Sequence, residues 1–306
     1  MTKLLYDLVI VGGGPAGATA ALYGARAGLS VVVLEKMLLG GEIVSTERLD
    51  NYPGFPEGIT GADFGQLLEE QLKRWKVPVK KVVAEQVSLK GEVKKVFAAG
   101  EEIAGRAVII ATGTVPAMLN VDGEQTLRGR GVSYCATCDA AFFRGKEIAV
   151  VGGGDAALEE TLFLARFATK IYLIHRRDAF RGVKELQERV LALPQVEVLW
   201  NTTVQKIAGE RKVEALALIQ EGRERTLPVS GVFIYIGRQP NTAFLRDELP
   251  LDEGGYIITN ENMETALPLV YAAGDVRLKG LRQVITAAAD GAIAATAAVT
   301  RLGVGI

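Results

Sequence analysis

The sequence predicts an α/β chain built on a repeated βαβ unit, and three observations carry that reading. Two apolar strands run into glycine-rich turns, Gly12–Gly17 and Gly152–Ala157, and each turn leads into a helix pattern. Each unit closes on a second apolar strand whose terminal residue stands 23 positions after the first glycine, 35 − 12 and 175 − 152. Between the two units lie the only two cysteines of the chain, Cys135 and Cys138, spaced Cys-x-x-Cys and followed by Asp139.

In the first unit, Tyr6–Val11 is apolar apart from Asp7 and reads as a buried strand. The turn Gly12-Gly13-Gly14-Pro15-Ala16-Gly17 fits G-x-G-x-x-G, and each glycine has a purpose. Gly12 permits the tight turn, Gly14 lets the backbone approach a pyrophosphate, and Gly17 lets the helix pack against the strand. A helix pattern over Ala18–Ala27 stops at Gly28, and its free N–H groups face the phosphates. The strand Ser30–Leu34 then ends on Glu35, a carboxylate suited to accept hydrogen bonds from ribose hydroxyls.

The second unit repeats the plan with strand Glu147–Val151, turn Gly152-Gly153-Gly154-Asp155-Ala156-Ala157 and helix Leu158–Phe167. Ala157 is the small residue that the fingerprint accepts in place of its third glycine. Strand Lys170–Ile174 ends on His175, where the acid is replaced by the basic run His175-Arg176-Arg177-Asp178-Ala179-Phe180-Arg181. Guanidinium forks grip phosphate and a carboxylate would repel it, so this site is expected to take a 2′-phosphate, NADPH over NADH.

Two thiols three positions apart fall within one helical turn, with Cα atoms about 5–6 Å apart, a span that a disulfide bridges. Beside a nucleotide-binding unit such a pair reads as a redox dithiol. Half of a zinc site, a clasp across a dimer and an inert buried pair are the alternatives these residues leave open. A structural zinc site takes a full tetrahedral ligand set, and the chain offers two cysteines and the single histidine His175, which belongs to another motif.

A chain of 306 residues suits two domains better than one core. Its 35 basic and 36 acidic residues create no field that would favour nucleic acid or an anionic membrane. Met1–Val11 carries no cleavable signal pattern, and the Ala-rich run Val284–Val299, interrupted by Asp290, is too short and weakly apolar to span a bilayer. Low cysteine use fits a reducing compartment, so a soluble, cytoplasmic protein is expected.

Taken together, these residues resemble the low-molecular-weight, bacterial-type thioredoxin reductase family. The resemblance runs over nearly the whole chain, through Gly12–Gly17, Gly40-Gly41, Asn51-Tyr52-Pro53-Gly54, Ala111-Thr112-Gly113, Cys135–Asp139, Gly152–Ala157, His175–Arg181, Ala273-Gly274-Asp275 and Arg282-Gln283. Glu42, where relatives often carry glutamine, and Ala140, in place of a common glycine, depart from the pattern.

The resemblance implies two Rossmann-like nucleotide-binding domains. A discontinuous FAD domain, about 1–115 plus 246–306, encloses an inserted NADPH domain at 116–245 that carries the Cys-x-x-Cys pair. FAD is expected on Gly12, Gly14, Gly17 and Glu35, with Gly41 and Asn51 near the flavin, Asp275 on the ribityl chain, and Gln283 and Val284 at the pyrimidine edge. NADPH is expected on Gly152, Gly154, Ala157, His175, Arg176, Arg177 and Arg181. Cys138 would face the flavin, Cys135 would attack a partner's disulfide, and Asp139 would manage the proton. Electrons would pass from NADPH to FAD, to Cys135–Cys138, and on to thioredoxin held on a separate chain. The resemblance also implies a homodimer. A peroxiredoxin-type or other thioredoxin-fold partner is the alternative within the class, and a flavin-based redox sensor the alternative outside it. Because one flavin must serve both the dithiol and the nicotinamide, rotation of the inserted domain about the turns near Gly113–Pro116 and Arg238–Asn241 is expected.

Overall fold

The computed structural model describes residues 4–46, 48–49, 51–245 and 247–303, the side chain of Cys138 excepted. The chain divides into two compact units, Met1–Val115 with Gln239–Ile306, and Pro116–Arg238. The return crossing therefore falls at Arg238–Gln239, within the turn-rich Arg238–Asn241 stretch, and not at 245/246. The reason is burial: Leu245 is completely enclosed in a core cluster of the first unit.

The first unit is organised by one seven-stranded sheet. It holds β1 (Leu5–Val11), β2 (Val31–Glu35), β3 (Val79–Lys81), β4 (Ala84–Ser88), β5 (Lys94–Ala98), β6 (Glu101–Ile110) and, after the chain returns, β17 (Val270–Ala272). The order is β3-β2-β1-β6-β5-β4, with β17 also on β6. β1 runs parallel to both β2 and β6, whereas β4 and β5 form an antiparallel edge. The helices are α1 (Pro15–Arg26), α2 (Gly61–Arg74) and α6 (Val284–Leu302). Leu8 and Ile10 of β1 belong to the core shared with α1 and α6, while Val9 and Val11 belong to the core on the opposite side. Burial on both faces is why β1 reads as an unbroken apolar run and not as an alternation.

The second unit repeats this logic on a five-stranded parallel sheet. β8 (Val132–Ser133), β9 (Glu147–Gly152), β10 (Lys170–Ile174), β11 (Val196–Leu199) and β15 (Val232–Tyr235) pair in the order β11-β10-β9-β15-β8. A separate antiparallel meander joins β12 (Thr202–Ala208), β13 (Ala215–Gln220) and β14 (Arg223–Pro228). Its helices are α3 (Ala136–Asp139), α4 (Asp155–Leu164) and α5 (Lys184–Leu191). Ile148 and Val150 of β9 enter one core and Ala149 and Val151 the other, the same two-sided burial as β1. Each sheet thus delivers a buried strand directly into a glycine turn at the N-terminus of a helix. Among the described residues no helix is long and apolar enough to cross a membrane.

Candidate active site

At the first glycine turn, Gly12 has φ +107°, and a Cβ there would sit 2.3 Å from the Ala111 carbonyl oxygen. A Cβ on Gly17 would sit 1.8 Å from the Gly12 oxygen, so any side chain would lift α1 off the turn. Gly14 differs: a Cβ there would meet only the Gly40 oxygen, at 3.9 Å. It is the N-cap of α1, has no side-chain cap, and no acid occupies the first turn, which leaves an N-terminus suited to an anion. Glu35, buried at 7% exposure, accepts Gly13 N–H at 2.7 Å with one oxygen and Met37 N–H at 2.9 Å with the other. Gly41, with φ +59°, lies close over Gly14, 3.1 Å from a Cβ to the Gly14 Cα. Asn51 Nδ2 donates to Gln283 Oε1 at 3.0 Å across 232 residues of chain. Gln283 is in turn the N-cap of α6 in a reciprocal capping box with Thr286, and Val284 begins the helix. Asp275 sits in the short Gly274–Val276 turn.

The dithiol segment enters on β8 and turns into α3. Cys135 is disulfide-bonded, and among the described residues no cysteine is free. Its Sγ lies 3.3 Å from Thr137 Oγ1. Ser133 Oγ accepts Cys135 N–H at 3.1 Å and donates to the Cys135 carbonyl at 3.2 Å, which fixes that residue's backbone from both sides. The hydroxyl of Tyr235 accepts Ala136 N–H at 2.8 Å. Upstream, Glu124 is 1% exposed and accepts Leu119 N–H, Asn120 N–H and the Tyr134 hydroxyl, the last at 2.6 Å. Burial and that carboxylate push the Tyr134 phenol well above its usual range, so it stays a donor. Asp139 lines a cavity of about 190 Å³ together with Ser133, Arg130, Lys146, Lys212 and Phe142. The side chain of Cys138 is outside the described residues, and with it the orientation expected for that thiol.

At the second turn, Gly154 is an uncapped N-cap of α4, and a Cβ there would meet nothing within 4 Å. Ala157 packs beneath Gly152, its Cβ 2.6 Å from where a Gly152 Cβ would be. Asp155 Oδ1 accepts Val183 N–H at 2.7 Å, and Arg181 N–H donates to the Gly153 carbonyl at 2.7 Å, so the basic run is stitched back onto the turn. Arg176, Arg177 and Arg181 are exposed. His175 is not: it is 5% exposed and packs against Phe180 and Trp200, ring centroids 5.8 and 6.1 Å away. Burial lowers its pKa, which favours the neutral ring.

The chain matches the family model described as "Pyridine nucleotide-disulphide oxidoreductase" over residues 6–291. The chain belongs to this family. A thioredoxin reductase of Peptoclostridium acidaminophilum is 43% identical over 304 residues, covering 96% of each chain. The crystal structure of Lactococcus lactis thioredoxin reductase in its FR conformation superposes with a TM-score of 0.93 at 38% identity, over 97% of this chain and 99% of that one. The T. acidophilum thioredoxin reductase gives a TM-score of 0.89 at 31% identity, over 97% and 98%.

As a pyridine nucleotide-disulphide oxidoreductase, the protein is an FAD- and NADPH-dependent enzyme with two Rossmann-like units. Both uncapped helix N-termini, with open space over Gly14 and Gly154, fit a pyrophosphate at each turn. The structure brings Glu35 and Gly41 against the turn that holds Gly12, Gly14 and Gly17, and joins Asn51 to Gln283. Sequence reading passed over Ser133, Glu124, Tyr235 and Asp290. Asp290 is a buried carboxylate that accepts Gly274 N–H at 3.0 Å, Arg277 Nε at 3.0 Å and Lys279 Nζ at 2.8 Å, and so anchors the Asp275 turn. A lone acid in an Ala-rich helix was its one sequence signal. Ser133, Glu124 and Tyr235 had none: Ser133 bonds the backbone two residues on, Glu124 takes two amides and the Tyr134 hydroxyl, Tyr235 takes an amide 99 positions away, and no motif marks any of them.

Proposed function

We propose that this family member is an NADPH-dependent thioredoxin reductase in which electrons pass from NADPH through FAD and Cys135–Cys138 to the disulfide of thioredoxin, a separate chain. The observation that carries the reading is the disulfide of Cys135, the residue just before the short helix α3, in the same unit as the second glycine turn. The thioredoxin reductases of P. acidaminophilum and L. lactis, matched over almost their whole length, supply the partner.

FAD takes the first unit, on Gly12, Gly14, Gly17, Glu35 and Gly41, with Asn51, Asp275, Gln283 and Val284 toward the flavin. NADPH takes the second, on Gly152, Gly154, Ala157, His175, Arg176, Arg177 and Arg181. When bound, the flavin supplies hydride acceptance from the nicotinamide and two-electron delivery to a disulfide. The protein's own groups do the rest. The arginines bind the 2′-phosphate. Glu35 and His175 brace their turns from below, Glu35 with lone pairs left for a ribose hydroxyl. Once the disulfide is reduced, Cys135 attacks the partner's disulfide as thiolate and Cys138 resolves the mixed disulfide. Asp139 holds the proton that the exchange moves. The enzyme works as a homodimer in the cytoplasm.

The test is NADPH oxidation coupled to a panel of thioredoxins, glutaredoxins and a small aromatic disulfide. Turnover of a thioredoxin is expected. Turnover of the small disulfide with every thioredoxin inert would overturn the assignment.

A further inference from the structure

Tyr235 closes β15 and touches both motifs of the second unit. Its backbone pairs with Gly152, the first glycine of the second turn. A Cβ on Gly152 would lie 2.4 Å from the Tyr235 carbonyl oxygen, so nothing larger than hydrogen fits there and a shift of the turn is passed directly to Tyr235. At the far end of the same residue, the phenol oxygen accepts Ala136 N–H at 2.8 Å. Ala136 stands between the two cysteines and is 0% exposed, so no solvent replaces that acceptor if it is lost. Burial, with Glu160 and Asp139 adding negative charge nearby, keeps the phenol protonated far above the usual tyrosine range. The contact is therefore a neutral one that working pH does not switch.

Ser133 already grips the Cys135 backbone through two hydrogen bonds. Opening the disulfide frees the covalent constraint on the Cys135–Cys138 loop, and the Ala136 peptide is the part of that loop held by Tyr235. We propose that Tyr235 is a positioning residue through which nucleotide binding at Gly152–Ala157 and the redox state of the dithiol bias each other. The inference rests on the proposed placement of NADPH on that turn. Such coupling is reciprocal: the factor by which the disulfide alters nucleotide affinity is the factor by which nucleotide alters the dithiol–disulfide equilibrium.

The experiment is calorimetric titration of NADP⁺ into the flavin-loaded enzyme, once with the disulfide closed and once as Cys135→Ser with Cys138→Ser, which cannot close it. The dissociation constants are expected to differ by about fivefold or more between the two forms. Adding Tyr235→Phe to each form is expected to shrink that difference below about twofold, within what separate sites show when uncoupled. Ala136→Pro removes the same hydrogen bond from the donor side, at a first-turn position where helices accept proline, and is expected to erase the difference as well. Equal affinities with Tyr235 in place would overturn the proposal, as would a difference that survives both substitutions. Failure of NADP⁺ to bind any form would overturn the nucleotide placement first and the coupling with it, so the two failures read differently.

Discussion

The two glycine turns differ in chemistry at the one position where they should most resemble each other. In both, a residue at the end of the second strand, Glu35 as its last and His175 just after it, lies under the middle glycine. Glu35 donates nothing there; it accepts Gly13 N–H at 2.7 Å, with its Cβ 3.1 Å from where a Gly13 Cβ would be. His175 fills the equivalent place as a ring, its Nδ1 and Cε1 both 2.4 Å from a Gly153 Cβ. A carboxylate holds the first turn by a charge-assisted hydrogen bond. An imidazole fills the second as a packed ring, with the Gly152 and Ala179 backbone groups beside it. The comparison separates two jobs that the sequence spacing merges: bracing the turn, which both residues do, and discriminating the ribose, which in the second unit is left to exposed arginines.

The largest effect is expected at the glycines. Gly17→Ala would place a methyl 1.8 Å from the Gly12 oxygen and so should cost both flavin and fold, read as a lowered melting temperature with loss of yellow colour. Gly14→Val has room inside the protein and should lose flavin while its circular dichroism stays native, because only the approach of the pyrophosphate is blocked. A Gly14→Val protein that keeps its flavin spectrum would remove FAD from this turn.

Next in size, Cys135→Ser should abolish thioredoxin reduction to background while NADPH still bleaches the flavin, since exchange needs sulfur and hydride transfer does not. Stopped-flow bleaching alongside the coupled assay checks it. Loss of both steps would mean that the dithiol also supports the nucleotide site.

Arg176→Ala with Arg181→Ala should raise the KM for NADPH by about 10–100-fold, the value of losing hydrogen bonds to a charged phosphate, and that for NADH by no more than about twofold. Equal losses would make these arginines part of the turn's support, as the Arg181 N–H to Gly153 contact already is. That outcome would erase the division of labour drawn between His175 and its neighbours.

The smallest effect concerns His175. Burial holds its folded pKa below the ordinary histidine value of 6.5, so the unfolded chain binds more protons as pH falls past that value. The stability it contributes is full above the unfolded pKa and is lost as pH drops toward the folded one. The urea midpoint should therefore fall between about pH 7.5 and pH 5.5, and fall less in His175→Gln. An unchanged slope in the variant would show that His175 does not titrate with folding.

The amino-acid sequence by itself determined the two βαβ units, their glycine turns and the dithiol between them. These are local patterns: a strand buried on both faces is a run of apolar residues, and a turn that a Cβ would block is a glycine. Strand Lys170–Ile174 appears with the bounds its apolar run predicts, and helix α4 begins three residues early, at Asp155, because the helix starts at the turn's own Gly154 cap. Only the tertiary structure decided what supports those motifs. Asp290 under the Gly274 turn, Glu124 behind Tyr134, the Asn51–Gln283 contact and Tyr235 against Ala136 join residues 16, 10, 232 and 99 positions apart. A buried carboxylate or phenol leaves no periodic trace in sequence, since its partners, backbone amides such as those of Gly274 and Ala136 or side chains such as Arg277 and Tyr134, stand at no fixed spacing, and the fold alone sets which of them come within hydrogen-bond reach.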